Sequence, residues 1–541
     1  MIINRIYSTI LMSLFITMPS LGQTKIVVRE NTKEASRVQE RERLQKREHQ
    51  PIEAVRQEKE RQKAEQKDRE ERIIREAERE RLQMQQELEK EQQERDEYAQ
   101  ILRGDIVVLE QNKNYISEDN GQTLWDCWDY SIGLNADGTA TVYHYRKGEY
   151  SRSIKGELKV PSMVKYNGNY YKVTCIGPNT FGSSVQNLTL PSTLKRLERC
   201  ALAGCSMQSI EIPGGITYIG DSAFYGCDEL KAIKWPKEIE RIGDGMFNNC
   251  KAMTSCEIPP TVTSIGAGAF FNCGDVRKAT PIVLPDGLIS IGEDAFFHSP
   301  LANGVQVPAS VEFIGERAFS QEQSISLASG NRHYTLENGL LLNSDKTLLL
   351  AAFGQLKECR IPPTVMRICN SAFYGMETLK TIFIPSSVQE IGSSAFANTG
   401  LETVTLPLSV EYMGESAFSW CKSLVSATLP ANLDTIPDGS FWWCKKLSSV
   451  TLPLKLKAVG KRAFEDCDEL TELSFPNSLS KIGTYAFSGC NKLKELVLPA
   501  SLIDELPWTA VQYDDKLTNV TFIYNSGKKE KVPRKNYWRR Y

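Results

Sequence analysis

The 541-residue chain has little of the material from which catalytic and metal centres are built. It contains no Cys-x-x-Cys pair, and its four histidines are far apart in the sequence: His49, His144, His298 and His333. Thiol-based metal and redox motifs need closely spaced cysteines, and a histidine-based site needs several such side chains to converge. No pairing of a nucleophile with a base, or of two carboxylates, stands out in the sequence. We therefore expect no enzyme, no cofactor and no metal site.

The chain also lacks a strong net charge and, after its N-terminus, a long apolar run. Its 65 lysines and arginines nearly balance 67 aspartates and glutamates, giving a net charge of −2. Without a basic field, the composition does not favour binding to nucleic acid or to an anionic membrane. We expect no transmembrane span, because no later segment is apolar enough to cross a bilayer. The basic segment 524–541 is interpreted as a solubilising C-terminal tail.

The first 22 residues have the pattern of a signal peptide. Arg5 supplies positive charge, residues 6–18 are an apolar stretch, and Ser20-Leu21-Gly22 provides small residues before a cleavage site. We predict cleavage after Gly22 and a protein that is secreted or held at the cell surface. An uncut membrane anchor is the alternative, but the run is short for a span of about 20 residues.

Residues 23–103 form a segment of unusual composition. Between Arg61 and Gln100, 23 of 40 residues are charged, and glycine and proline do not occur. This composition is typical of a long helix with ion pairs one turn apart. An irregular apolar heptad from Ile74 to Leu102 is compatible with a weak coiled coil, which makes residues 61–103 the candidate segment for homo-oligomer formation. A solitary charged helix that serves as a stalk is an equal alternative.

A periodic pattern organises most of the remaining chain. Thirteen prolines, each after an apolar residue, recur from Pro191 to Pro499, and ten of the twelve intervals are 22 or 23 residues. Eleven phenylalanines, from Phe224 to Phe487, each follow one of these prolines by 11 residues. A fixed period in this range indicates a solenoid, in which each unit buries its apolar face only by stacking on its neighbours.

One repeat, residues 401–423, shows how a unit is built. Its Leu-x-x-Val-x-Leu-Pro segment predicts a short strand in which Val404 points inward and which ends at Pro407. Gly414 allows a turn, and Phe418 is expected to fill the interior from a short helical or bent return segment. The predicted fold is a leucine-rich-repeat-like solenoid of short parallel β-strands with irregular or short helical return segments, preceded by the long charged helix.

The recurring pattern Leu-x-x-(Ile/Val)-x-(Ile/Leu)-Pro-x-x-(Val/Leu)-x-x-Ile-Gly-x-x-Ala-Phe-x-x-Cys resembles the BspA-like, or Treponema pallidum-type, leucine-rich repeats over residues 157–523. Residues 331–350 are similar to a hairpin insertion common in that family, with Asn338-Gly339 as the turn. We assign residues 178–523 to the solenoid, with this insertion at about 324–355. The resemblance implies a secreted or surface-displayed bacterial protein that binds other macromolecules, often as an adhesin.

Residues 104–177 alternate between apolar and polar side chains as β-strands do. Asp137-Gly138 and Asn167-Gly168 each separate two such runs and predict hairpins. Because terminal repeats must seal the open end of a solenoid core, we interpret this segment as an N-terminal cap. A small independent β domain is the alternative.

The 14 cysteines admit two interpretations. Eight occupy one position of the repeat, and other repeats hold Ser299, Met376 or Thr399 at that position. A position that accepts these residues requires a small or soft buried side chain rather than a bonding partner, which favours free thiols. Disulfides between neighbouring repeats are the alternative in an exported protein.

Outward-facing strand residues are the first candidate partner-binding set. Side chains four and two positions before each repeat proline are expected to face the concave side of the solenoid. The candidates on this face are Phe383, Thr403, Thr405, Thr428 and Thr451. The face is rich in hydroxyl groups, although threonine is also simply a good strand residue.

Three tryptophans are the second candidate set. Trp420, Trp442 and Trp443 follow the buried Phe418 and Phe441, and Trp420 and Trp443 are expected one repeat apart, about 5 Å. Exposed tryptophans on a rigid element often anchor interfaces. Partial burial against the neighbouring turn is the alternative.

The sequence thus predicts an exported, surface-associated, adhesin-like protein. It would use an extended repeat surface to bind an extracellular protein or glycan. The alternative is a structural or assembly scaffold of the cell envelope that acts through the coiled-coil stalk.

Overall fold

The computed structural model describes residues 130–533 except 136, 145–156, 161, 167–168, 184 and 515. The predicted signal peptide, the charged segment 23–103 with its coiled coil, the first part of the predicted cap and residues 534–541 lie outside the described residues. The described part is a parallel β-solenoid, as the repeat pattern predicts.

The strands that precede the repeat prolines, together with their equivalents in the less regular repeats, form what we call the first strand row. Members pair in parallel and in register within several short sheets, as Thr403–Thr405 does with Ser426–Thr428. In Thr403–Thr405 and Ser209–Glu211 the middle residue is buried and its two neighbours point outward, because side chains alternate along a strand. The row comprises Glu157–Lys159, Asn187–Thr189, Ser209–Glu211, Ala232–Lys234, Val305–Val307, Ile325–Leu327, Glu358–Arg360, Thr381–Phe383, Thr403–Thr405, Ser426–Thr428, Ser449–Thr451, Glu472–Ser474, Glu495–Pro499 and Asn519–Ile523.

A second strand row, which the sequence pattern did not predict, consists of two-residue strands ahead of the return turns. It comprises Arg196–Leu197, Tyr218–Ile219, Arg241–Ile242, Ser264–Ile265, Ser290–Ile291, Phe313–Ile314, Arg367–Ile368, Glu390–Ile391, Tyr412–Met413, Thr435–Ile436, Ala458–Val459 and Lys481–Ile482. A glycine follows most of these strands because the next repeat lies too close for a side chain. A Cβ on Gly292, for example, would lie 2.5 Å from the backbone nitrogen of Ala267.

The return segments are series of turns, so the helical version of the return segment is wrong for this chain. Helical structure in the described residues is confined to the 3-10 turns Pro300–Ala302, Ala500–Leu502 and Trp508–Val511. The repeat phenylalanines point inward from the turns and stack on one another. The ring centroid of Phe418 lies 5.1 Å from that of Phe396 and 5.7 Å from that of Phe441.

The cysteine position forms a second internal column beside these rings. The thirteen described cysteines carry free thiols, as the favoured interpretation of this position predicts. The thiol of Cys444 donates to the carbonyl oxygen of Phe418 in the preceding repeat at 3.0 Å. Ser299, at the same position, donates its hydroxyl to the carbonyl of Cys273 at 2.7 Å. Cysteine or serine at this position can thus donate to the preceding repeat, whereas Met376 fills the same position without a donor.

Antiparallel strands cover the N-terminal end of the described solenoid. Tyr130–Leu134 pairs with Thr139–His144, and Met163–Tyr166 pairs with Asn169–Ile176, so both predicted hairpins are present. Asn169–Ile176 then pairs in parallel with Arg196–Leu197 of the second strand row.

The predicted hairpin insertion is also present, and a short strand follows the last repeat. Tyr334–Glu337 pairs with Leu340–Asn343 across the Asn338-Gly339 turn. Leu348–Ala352 pairs with the second hairpin strand and also with Arg367–Ile368, and so joins the second strand row. Near the C-terminus, Lys529–Pro533 runs antiparallel to Asn519–Ile523.

Candidate functional site

Trp420 and Trp443 occupy a backbone position that other repeats fill with residues tolerant of left-handed geometry. The position lies two residues after the buried phenylalanine, and φ is 60° at Trp420 and 62° at Trp443. Left-handed residues at the same position elsewhere are Gly226, Asn249, Asn272, His298, Gly375, Asn398, Asp466 and Gly489. A bulky side chain in this region of the Ramachandran plot is an outlier. Two such outliers in adjacent repeats mark this part of the return turns.

The three indoles form one cluster, which we call the aromatic ladder: Trp420, Trp442 and Trp443. Trp420 and Trp443 stack with ring centroids 4.3 Å apart and planes at 17°, close to the spacing expected for residues one repeat apart. Trp442 meets Trp420 edge-on at 5.6 Å and 81°. All three are half-buried, as the alternative of partial burial anticipated, and each keeps part of its ring exposed.

Three cations lie against these rings, and sequence reasoning did not single them out. Lys445 lies 4.3 Å from the ring centre of Trp443, Lys422 lies 5.3 Å from that of Trp420, and Arg462 lies 5.9 Å from that of Trp442. Such contacts are favourable because the ring face is electron-rich. The spacing Trp-x-Lys, which occurs at both stacked tryptophans, was the available signal for the two lysines.

Carboxylates border the basic side of the ladder. Lys445 pairs with Asp468 at 3.4 Å, and Arg462 pairs with Glu465 at 3.6 Å. Burial raises the pKa of the Glu465 carboxyl, an effect that the charge of Arg462 opposes. The ladder is therefore an aromatic surface with mixed charges at its edge rather than a simple anion site.

The candidate strand residues form a second, separate surface on the first strand row. Thr405, Thr428 and Thr451 are register partners on three adjacent strands, and Thr403 lies on the first of these. Thr403, Thr405 and Thr451 are exposed, whereas Thr428 is half-buried. Their hydroxyl groups line the outer face of the row.

Phe383 lies on the preceding strand of the row, Thr381–Phe383, and is 55% exposed. The guanidinium carbon of Arg360 lies 5.2 Å from its ring centre. The threonines and Phe383 belong to strands and the tryptophans to return turns, so the structure does not combine the two candidate sets into one site.

Metal centres and membrane-spanning helices are both absent from residues 130–533 outside the stated gaps. No cluster there brings together three or more histidine, cysteine, aspartate or glutamate side chains able to hold a metal ion. In the same part of the chain, no helix has both the length and the apolar character that crossing a membrane demands.

The repeat pattern itself decides the family. A family model described as a BspA type leucine rich repeat region (6 copies) matches residues 169–277, 275–345, 351–442 and 417–529. Together these ranges cover more than half of the chain. The chain belongs to the BspA-type leucine-rich repeat family. The resemblance carried by the proline, Ile-Gly, Ala-Phe and cysteine positions is thereby confirmed.

Solved structures of other leucine-rich repeat proteins are similar to this BspA-type chain. A leucine-rich repeat protein from Eubacterium ventriosum is 23% identical over 66% of this chain and 92% of that one, with a TM-score of 0.42. A leucine rich cell surface protein from Faecalibacterium prausnitzii is 19% identical over 76% and 95%, with a TM-score of 0.44. The pneumococcal vaccine antigen PcpA is 18% identical over 69% and 94%, with a TM-score of 0.41. A comparison with curated proteins gave no match.

The BspA-type repeat leaves the residue two places after its phenylalanine free to vary, because that residue lies outside the buried pattern. Most repeats of this chain use the freedom for glycine or asparagine, which suit the left-handed backbone. The aromatic ladder departs from this rule twice in succession. The repeat architecture does not account for this choice of residue.

Proposed function

We propose that this BspA-type repeat protein is exported and surface-associated, and that it acts as an adhesin-like binding protein. The aromatic ladder would anchor an extracellular protein partner, and the hydroxyl-lined face of the first strand row would offer a second, separate contact surface for protein or glycan chains. The observation that carries the proposal is the pair of tryptophans, Trp420 and Trp443, in left-handed positions.

Backbone strain of this kind needs a compensating reason. A non-glycine residue in the left-handed region costs about 1–3 kcal/mol, and such residues cluster at functional sites. Glycine would fill both positions without this cost and asparagine at a lower one, as they do in other repeats. Retention of two indoles supports a role that needs their surface.

The chemistry of the ladder favours a protein partner. Tryptophan and arginine are the residues most enriched among interface hot spots, and hot spots lie in well-packed clusters. One face of the Trp443 ring already stacks on Trp420, and Lys445 lies against the same ring, so indole edges and cation tips remain for a partner. Apolar and acidic side chains of a protein complement such a surface.

The decisive experiment compares variants of the mature chain, residues 23–541, on an array of immobilised extracellular proteins. The double variant Trp420→Asn/Trp443→Asn carries at both positions the residue found in other repeats, so we expect it to fold. We expect its binding to fall by at least about tenfold, the effect of removing one hot-spot contact. Tyr412→Asn, which removes an exposed aromatic ring from the second strand row, serves as the matched control.

A deletion separates this proposal from the scaffold alternative. If the repeats bind the partner, removal of residues 24–103 leaves binding by the remaining chain intact. If the envelope scaffold is correct, the deletion abolishes partner binding while the tryptophan double variant binds as the parent does. Equal binding by the parent and the double variant would refute the role of the ladder.

A further inference from the structure

The regular stack of repeats is interrupted at the hairpin insertion. Phe319 is the last ring of one stacked series and Phe373 the first of the next. The backbone N–H of Ala352, at the end of the inserted strand, donates to the carbonyl of Ala372 at 2.7 Å. In an ordinary repeat the backbone N–H of the buried phenylalanine donates the equivalent hydrogen bond. Here Ala352 of the inserted strand takes the place of that phenylalanine, so the insertion replaces part of a return turn.

A cleft of about 390 Å³ lies on the return side of this junction. We call it the insertion cleft. Its lining includes the carboxamides of Gln321, Gln355 and Asn398 and the carboxylates of Glu322 and Glu377. These side chains come from both sides of the insertion, and the lining holds no lysine or arginine. Binding pockets for small molecules measure about 300–1,000 Å³, so the volume suits a ligand.

An aromatic wall completes the insertion cleft. Tyr374 is half-buried and lines it together with His298. The Tyr374 ring centre lies 5.8 Å from that of Phe297 and 6.3 Å from that of His298. Contacts with the repeat before the insertion therefore hold the ring in place.

Gly375 lies against the side chain of Gln321 in the insertion cleft. Gly375 has φ of +75°, and a Cβ at this position would push the side-chain amide of Gln321 aside. The neighbouring Glu377 is oriented by Asn398, whose amide donates to its carboxylate oxygen at 3.2 Å. Buried Met376 takes the repeat cysteine position beneath the cleft.

We propose that the insertion cleft binds a neutral saccharide. Planar carboxamides and carboxylates offer several hydrogen-bond acceptors and donors for vicinal hydroxyl groups. The Tyr374 ring offers an apolar face against which the C–H groups of a sugar ring pack. An anionic ligand would meet two carboxylates with no lysine or arginine in the lining, which disfavours phosphate or uronic-acid groups.

The experiment uses the mature chain on an array of neutral oligosaccharides (glucans, mannans, galactans and N-acetylhexosamine oligomers), with uronic-acid oligomers and a lysine-rich peptide as rivals. The best neutral hit is then titrated by calorimetry against variants. Tyr374→Ser and Gly375→Asn introduce residues that the equivalent positions of other repeats hold as Ser419 and Asn398. We expect each to lower affinity at least about tenfold, through loss of the aromatic wall and filling of the cleft.

Glu377→Gln distinguishes a saccharide from a cationic ligand. The amide keeps the shape and one acceptor, so saccharide affinity should change by less than about tenfold. Binding of the lysine-rich peptide that Glu377→Gln abolishes would replace the proposal with a cation site. The saccharide proposal would also be overturned if no neutral oligosaccharide binds, or if Gly375→Asn binds the saccharide as tightly as the parent does. Tyr412→Asn, which removes an exposed ring of the second strand row outside the cleft lining, should leave saccharide binding unchanged.

Discussion

Trp420 and Trp443 stack with ring centroids 4.3 Å apart, and both residues have left-handed backbone conformation. The stacking follows from the repeat, which places equivalent residues of neighbouring turns side by side. The backbone conformation also follows from the repeat, since the equivalent position elsewhere is left-handed. The left-handed backbone destabilises the fold, whereas the stacking stabilises it. Both effects belong to the same two side chains, so substituting one of them measures the difference between the two energies.

Replacing Trp443 by asparagine should change stability little. Relief of the left-handed strain, about 1–3 kcal/mol, offsets the lost aromatic contact of about 0.5–1.5 kcal/mol and the lost burial. We expect the free energy of unfolding in urea to stay within about 1 kcal/mol of the parent value. Trp442→Asn is the control, because Trp442 has no left-handed strain to relieve and should cost more. A loss at Trp443 as large as that at Trp442 would contradict this explanation.

Replacing Phe418 by alanine should be severely destabilising. The ring is fully buried between Phe396 and Phe441, and truncation of such a side chain costs about 3–5 kcal/mol because a cavity remains. Phe383→Ala, at an exposed ring of the first strand row, should change stability by less than about 0.5 kcal/mol. Calorimetric unfolding of both variants measures the contrast. Similar losses for the two variants would show that the ring stack is not the core.

The buried ring stack could be predicted from sequence because Phe418 and its equivalents recur at a constant distance from a proline. The second strand row could not, since a two-residue strand such as Tyr412–Met413 is too short for an alternating pattern. For the repeat glycine, the sequence predicted a turn but not the close approach of the neighbouring repeat. That approach is a tertiary contact, which the local sequence does not encode. The left-handed position had a signal in its recurrent glycine and asparagine residues.

The insertion cleft lay beyond sequence reasoning for a different reason. His298 and Asn398 line the same cleft although 100 positions separate them. Their proximity depends on how the inserted strand replaces a return turn, which the local pattern around either residue does not encode. The asparagine and glycine of the hairpin turn predict the insertion itself but not the space beside it.

The buried thiols should make stability fall at alkaline pH. Burial raises the pKa of Cys359 to about 11 and that of Cys256 to about 12. Unfolded thiols titrate near about 8.5, so the unfolded state loses protons first as the pH rises. Stability is therefore fully present below about pH 8.5 and declines toward the folded-state pKa values, by up to about 1.4 kcal/mol per thiol per pH unit.

Urea unfolding between about pH 8 and pH 9.5 measures this decline. The variant Cys256→Ala removes one titrating group, so its stability should fall less steeply over the same range. A parent slope equal to that of the variant would mean that Cys256 is not protected in the folded state.

Two glycines, one in the turn of the inserted hairpin and one just after the inserted strand, separate backbone strain from steric collision. Gly339 and Gly354 have φ of +78° and +84°, so alanine at either position pays the left-handed penalty of about 1–2 kcal/mol. A Cβ on Gly339 would also lie 2.7 Å from the carbonyl oxygen of Phe353, whereas a Cβ on Gly354 meets open space. We expect Gly339→Ala to be the more destabilising by about 1 kcal/mol or more in urea unfolding. Equal losses would show that the hairpin shifts away from Phe353 freely, and a greater loss at Gly354 would contradict the packing of the hairpin against the solenoid.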